Sequence, residues 1–469
     1  MIADTSTPLS AGLKPYSEYK DSGVSWMGDV PREWRVERTK WVFRSVKELN
    51  VGRRNTNVLS LTLRGVVNND PDSPEGMVPK DYATYQIFRK HDLVFKLIDL
   101  ENIRTSRVGL VHEDGIMSSA YVRLIPSKSA NVRFFYFQFF DIYTRAIFNA
   151  LGAGVRSTLG PTDLGELRIT IPQPDEQAAI VRFLDHATHR LDKAVRAKRK
   201  TIALLNEQKQ AIIHRAVTRG LSPDVPFKDS GIPWLGQIPA HWGVMRIKYL
   251  LREVDDRSVT GSEPLLSMRM HHGLVLFAEH FTRPPQAATL VGFKIVRPGQ
   301  FVVNRMQAGN GVIFASTLTG LVSPDYAVFD PIGDANVDFL GELFRSRKVR
   351  AKFRAESKGL GTGSSGFMRL YNDRLGAIHV ALPPRAEQCS ILTGLAGELS
   401  DIKNAISRFE REIELLREYR TRLIADVVTG KLDVREAAAR LSTVESALAD
   451  EPELAAIEET DEELAEGNA

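Results

Sequence analysis

The chain has 469 residues, about three times an ordinary domain, which predicts two or three domains with full-sized cores. Hydrophobic residues make up 43% and charged residues 26%, excluding a disordered or fibrous chain, and the single cysteine, Cys389, excludes an internal disulfide framework or a site built from several thiolates. Residues 441–469 contain ten Asp or Glu and no Lys or Arg, so the other 440 residues hold 62 Lys and Arg against 48 Asp and Glu; that net +14 suits a polyanionic partner, or serves solvation alone.

The first twenty residues lack a basic start followed by an apolar stretch, and no run approaches the roughly 18 apolar residues of a membrane span. The expectation is a cytoplasmic protein with no membrane partner. The chain is then written twice. KDSGVSWMGDVPREW (20–34) returns as KDSGIPWLGQIPAHW (228–242) at an offset of 208, and LGELRITIPQPDEQ (164–177) returns as LGAIHVALPPRAEQ (375–388) at an offset of 211. Between these anchors FRKHDLVFK (88–96) parallels VRPGQFVVN (296–304), and SSAY (118–121) parallels SPDY (323–326).

The frames agree while the middles, roughly 50–160 and 255–370, keep only a skeleton of apolar and turn positions, as in two similar modules that read different things. LVFKLI (93–98) and FVVNRM (301–306) alternate like half-buried strands after a turn, and VRFFYFQFFDIY (132–143) continues as a helix. Phe134, Phe135, Phe137, Phe139 and Phe140 fit core packing better than base stacking, and Trp26, Trp34, Trp234 and Trp242 fit packing anchors.

From Glu176 to Val217 there is no Pro or Gly, and Leu184, Thr188, Leu191, Val195, Lys198, Ile202, Leu205, Lys209, Ile212 and Ala216 step by alternating fours and threes. The second half keeps the register with Leu399, Ile402, Ile406, Phe409, Ile413, Leu416 and Leu423. Pro172 and Pro174 precede the first run, Pro383 and Pro384 the second, and Gly220 and Gly430 follow them, supplying start and stop signals. A 42-residue helix is about 63 Å long and needs a partner of similar length for its apolar stripe; the other copy is that partner, packed antiparallel.

Catalytic motifs fail on context. Gly361, Gly363 and Gly366 spell GxGxxG after a basic stretch instead of between strand and helix. Asp175 and Glu207 would lie about 48 Å apart on one helix and could not share a metal ion. No GxxxxGK[ST] loop and no NPPY or DPPY sequence occurs, and His186 and His189 have no third ligand, so no catalytic residue and no metal site is expected.

KDSGxxWxGxxPxxW at the head of each half, a Pro-rich EQ segment leading into a long helix, and the ending LIADVVTGKLDV (423–434) resemble the specificity (S) subunits of type I restriction-modification systems. The resemblance spans nearly the whole chain in both copies. It implies an α+β fold with two similar mixed α/β target recognition domains joined by two long helices in an antiparallel coiled coil. The expected division is an N-terminal segment (1–19), recognition domain 1 (20–170), spacer helix 1 (171–220), recognition domain 2 (221–382), spacer helix 2 (383–432) and an acidic tail (433–469).

In such a complex each recognition domain reads one half of a split site on double-stranded DNA. The helices dock methyltransferase (M) subunits, and restriction (R) subunits join the assembly. S-adenosylmethionine, ATP and Mg are expected in those partners and no cofactor in this chain, which would be a non-catalytic recognition subunit.

Donors for base edges and phosphates are expected at Arg64, Lys96, Arg104, Arg107 and Arg156 in the first module, and at Arg269, Asn304, Arg305, Gln307, Asn310 and Arg369 in the second. A stand-alone DNA-modifying enzyme and a protein-binding scaffold remain as alternatives.

Overall fold

The computed structural model describes residues 12–70, 79, 81–100, 106–126, 130–152, 158–222, 224–270, 272–281, 284–333, 335–360 and 367–441. They form two compact units. One takes the described residues up to Lys198 together with those from Glu410 onward, and the other takes Arg199–Phe409. Each long helix therefore begins in one unit and ends in the other.

The repeated frame is a locked turn. In each copy the Asp of KDSG accepts the backbone N–H of the following Gly, Gly23 to Asp21 at 2.9 Å and Gly231 to Asp229 at 3.0 Å. The Ser N–H then reaches across the turn to the carbonyl of the second Gly, Gly28 or Gly236. All four glycines have φ between 67° and 70°, the left-handed region where a Cβ is strained. The turn closes a short hairpin, Tyr19–Asp21 on Asp29–Pro31 and Phe227–Asp229 on Gln237–Pro239. Trp34 and Trp242, just beyond, are fully buried and anchor the two cores, while Trp26 and Trp234 are half-buried.

Each middle holds a four-stranded antiparallel sheet. In the first unit it is built from β1 (Phe43–Ser45), β2 (Leu93–Phe95), β3 (Val108–Leu110) and β4 (Val122–Pro126), in the order β1-β4-β2-β3. The second unit repeats it with β5 (Leu251–Val254), β6 (Phe301–Val303), β7 (Ile313–Ala315) and β8 (Ala327–Pro331), ordered β5-β8-β6-β7.

The expectation of half-buried, alternating strands is corrected here. Leu93–Phe95 and Phe301–Val303 are buried at every residue and span only three residues each, because the sheet separates two cores. Leu93 and Phe95 face helix α1 (Val132–Thr144), whereas Val94 packs on a second cluster with Leu59, Leu61, Phe88, Val111 and Met117. Phe301 and Val303 likewise join the main core, and Val302 joins a satellite with Leu266, Leu274 and Phe314.

Helix α1 starts at Asn131, whose side chain caps the Phe134 N–H. Phe134, Phe135, Phe137 and Phe139 are buried, so the Phe-rich run is core, as its density implied. In the second unit Asn336 caps α3 (Val337–Arg345), which is followed by α4 (Arg347–Glu356). The EQ motif has a structural job in both copies. Gln177 and Gln388 donate to the carbonyls of Pro172 and Pro383 and accept the backbone N–H of Asn131 and Asn336, tying the start of each long helix to the start of the core helix.

The long helices are α2 (Pro174–Arg219, 46 residues) and α5 (Arg385–Val428, 44 residues), each slightly longer than the sequence pattern implied because proline occupies the first turn or lies just outside it. Within the first unit Lys198 pairs with Glu412, and Asp192 pairs with Arg420 at 3.5 Å; within the second, Arg215 pairs with Glu398 at 3.5 Å. One number rises as the other falls, which is antiparallel pairing. Among the described residues, no helix is long and apolar enough to cross a membrane.

The seam is uneven. Leu184, Leu191, Leu399, Ile413 and Leu423 are buried, but Val195, Ile202, Leu205, Ile212, Ile402, Ile406, Phe409 and Leu416 are only half-buried. Ile202 and Ile406, near the middle of the predicted seam, are among the half-buried positions. Near its ends the helix pair gains a third layer: Leu184 and Leu423 join the Phe-rich core of the first unit, and Leu399 joins the core around Trp242 in the second. Elsewhere, two helices cover only one side of each other.

Candidate nucleic-acid interface

A surface that reads DNA needs cations for phosphates and side chains free to reach base edges. In the first unit Arg64 sits half-buried at the tip of the hairpin Leu59–Thr62 and Gly65–Asn68, beside the exposed Leu63. Lys96 is half-buried after β2, and burial together with nearby Arg107 pulls its ammonium below the usual lysine range. Arg107 is only 1% exposed, and its guanidinium donates to the carbonyls of Ile98 and Asp99, at 3.4 and 2.7 Å. The expectation of Arg107 as a base or phosphate donor is corrected: it clamps a loop from inside. Arg104 and Arg156 lie outside the described residues.

In the second unit the sequence run 304–311 forms a tight loop after β6. Asn304 is buried, and its side chain accepts the Met306 N–H at 3.1 Å, so it shapes the loop instead of presenting donors to solvent. Arg305 is held by Glu253 at 2.8 Å, and Arg369 by Asp325 at 3.6 Å and by the Tyr371 ring. Gln307 is half-buried, and its backbone caps the turn Ala308–Asn310. Arg269 lies over the Phe281 ring, 5.4 Å from its centroid. Asn310 is exposed, and its Oδ1 accepts from Arg354 at 3.3 Å. The GxGxxG glycines lie outside the described residues, but the strands that flank them, Lys358–Leu360 and Phe367–Arg369, pair as a hairpin.

Sequence reasoning missed helix α4. Residues 345–354 read RSRKVRAKFR, with six Lys or Arg in ten positions, and that density was the available signal. The helix packs on the Ala308–Asn310 turn. Arg354 donates to the Gly309 carbonyl at 3.2 Å, and the Arg350 side chain lies against Gly311. The Nε–H groups of Arg305, Arg350 and Arg369 are buried with no acceptor around this loop. Burial, with Arg354 adjacent, depresses the Arg350 guanidinium from its ordinary value. The equivalent stretch of the first unit, FDIYTRAIFNAL (140–151), carries one Arg. The two copies thus place different chemistry on one scaffold.

Residues 67–203 match the family described as the type I restriction modification DNA specificity domain. Over 447 residues, 87% of this chain and 96% of the relative, the sequence is 21% identical to the "Putative type I restriction enzyme MjaX specificity subunit" of Methanocaldococcus jannaschii. A solved structure from work on complex assembly and conformational transition of the type I R-M system superimposes with a TM-score of 0.56 at 14% identity, covering 85% of this chain and 98% of that one, a likeness of fold. On a frame written twice, with the same sheet in both copies, the family match and the near full-length relative liken this chain to the specificity subunits of type I restriction-modification systems.

Proposed function

We propose that each unit reads one half of a bipartite target on double-stranded DNA, and that the paired long helices dock the methyltransferase subunits that act there, with restriction subunits completing the complex. The observation that carries this reading is the contrast between frame and middle. Turn locks and the Gln clamps agree bond for bond between copies. The exposed chemistry does not: the second unit carries a basic helix where the equivalent stretch of the first has one Arg.

The chain would supply contacts to bases and phosphates, and the half-buried apolar seam would supply the docking surface. S-adenosylmethionine, ATP and Mg chemistry would belong to the partner subunits. The test is a swap of residues 50–160 for the same segment of another family member, read by genome-wide mapping of methylated adenine in cells carrying the assembled complex. One half-site should change and the other persist; a change in both halves or in neither overturns the reading.

A further inference from the structure

The second unit contains a cavity of about 280 Å³ that the reading above does not use. The last turns of α2 line it with His214, Arg215 and Arg219, the start of α4 adds Lys348, and the repeated frame adds Trp234. Its floor is apolar: Val217, Ile238, Leu343, Val349 and Val380 are all buried. No Asp or Glu is among its lining residues. Arg215 is paired outward with Glu398, and Arg219 lies over the Phe227 ring, but the described residues offer Lys348 no ion-pair partner. The Nδ1 of His214 is buried and has no hydrogen-bond partner.

The other copy shows that the fold does not require this arrangement. Aligning Gly220 with Gly430 sets His214 against Ile424, which is 2% exposed in the first unit's core. Aligning Asn336 with Asn131 sets Lys348 against Tyr143, which packs on the same core. Where one copy has closed its interior with apolar side chains, the other keeps two polar groups, an unsatisfied imidazole nitrogen and an opening. Burial, and then Lys348, Arg219 and Arg347, hold the imidazole below its ordinary range, so it is neutral near pH 7 and leaves the positive charge to its neighbours.

We propose that this cavity binds a small organic anion, a phosphate or carboxylate carried on an aromatic body of nucleoside-monophosphate size or smaller. The anionic group would meet Lys348 and Arg219, the His214 imidazole would border the ligand, and the aromatic body would lie against Trp234 and the apolar floor. Of helix α4, which the DNA reading above also uses, the site takes only the first turn, at Lys348 and Val349.

The experiment is calorimetric titration of the full chain with phenyl phosphate and with adenosine 5′-monophosphate, against inorganic phosphate and benzyl alcohol as fragments of the same chemistry. At least one of the two aryl or nucleoside phosphates should bind, at least tenfold more tightly than either fragment. His214→Ile, which installs the residue of the other copy, and Lys348→Met should each weaken that binding at least tenfold while retaining the wild-type far-UV circular dichroism. Absence of binding by both phosphates overturns the proposal. So does inorganic phosphate binding as tightly as they do, or binding that survives both substitutions.

Discussion

Gly220 and Gly430 end the two long helices with φ of 78° and 76°, yet their surroundings differ. A Cβ on Gly430 would stand 2.3 Å from Pro31, whereas on Gly220 its nearest neighbour is a Glu387 carboxylate oxygen at 3.4 Å. Both Gly→Ala substitutions meet the left-handed cost of about 1 kcal/mol, and only Gly430→Ala adds overpacking of about 1–3 kcal/mol. Thermal melts should therefore show the larger loss for Gly430→Ala; equal losses would refute the difference in packing.

Three polar positions invite separate measurements. Arg354→Ala should lower DNA affinity of the assembled complex across all sequences and reduce the salt slope by about one, whereas Asn310→Ala should relax one position of one half-site. For His214 the sign is set by its depressed imidazole: the unfolded chain takes the proton first, near 6.5, so stability present above that pH falls as the pH drops toward the folded value. His214→Ile should flatten this slope in denaturant titrations between pH 7 and 5.

The paired helices show how one heptad pattern yields two environments. Leu191 is 6% exposed, while Ile202 is only half-buried on the same seam. Leu191→Asp buries a charge without a partner and should cost about 3 kcal/mol or more. Ile202→Asp leaves the carboxylate access to water, and its loss should be visibly smaller in the same chemical denaturation series. If the half-buried middle is the docking surface, Ile202→Asp should nevertheless reduce methyltransferase assembly by size-exclusion analysis. Intact assembly with near-native stability would remove the seam from that role.

Under the reading proposed above, the length of α2 and α5, which both run from one unit into the other, would bear on how a split target is measured. Four residues inserted in each helix, near Leu205 and near Ile406, add about 6 Å and nearly keep helical phase. At 3.4 Å per base pair, the unread gap in the methylated site should grow by one or two pairs with both half-sites unchanged. Two residues inserted at the same places turn each seam by about 200° and should abolish assembly. If both insertions leave the methylated sequence as it was, the helices are not the ruler.

The duplication, the helix bounds within a few residues, the antiparallel pairing and the packing role of Trp34, Trp242 and the Phe-rich helix were all legible in the sequence, because each rests on a repeat, a period or a local stop signal. The frame motif was legible as a signature, but its reason appears only in three dimensions: the Asp–Gly turn lock and the Gln clamp join residues that no periodicity links. Which cations face outward was decided by tertiary structure alone. Arg107 and Asn304 read like neighbours of Arg64 and Asn310 in a loop-like basic segment, yet the folded chain turns them onto its own carbonyls and amides, since a donor's reach depends on which core its backbone borders. The same reason hid the double-sided burial of Leu93–Phe95 and Phe301–Val303: a three-residue strand carries too little pattern to say that a second core lies behind it.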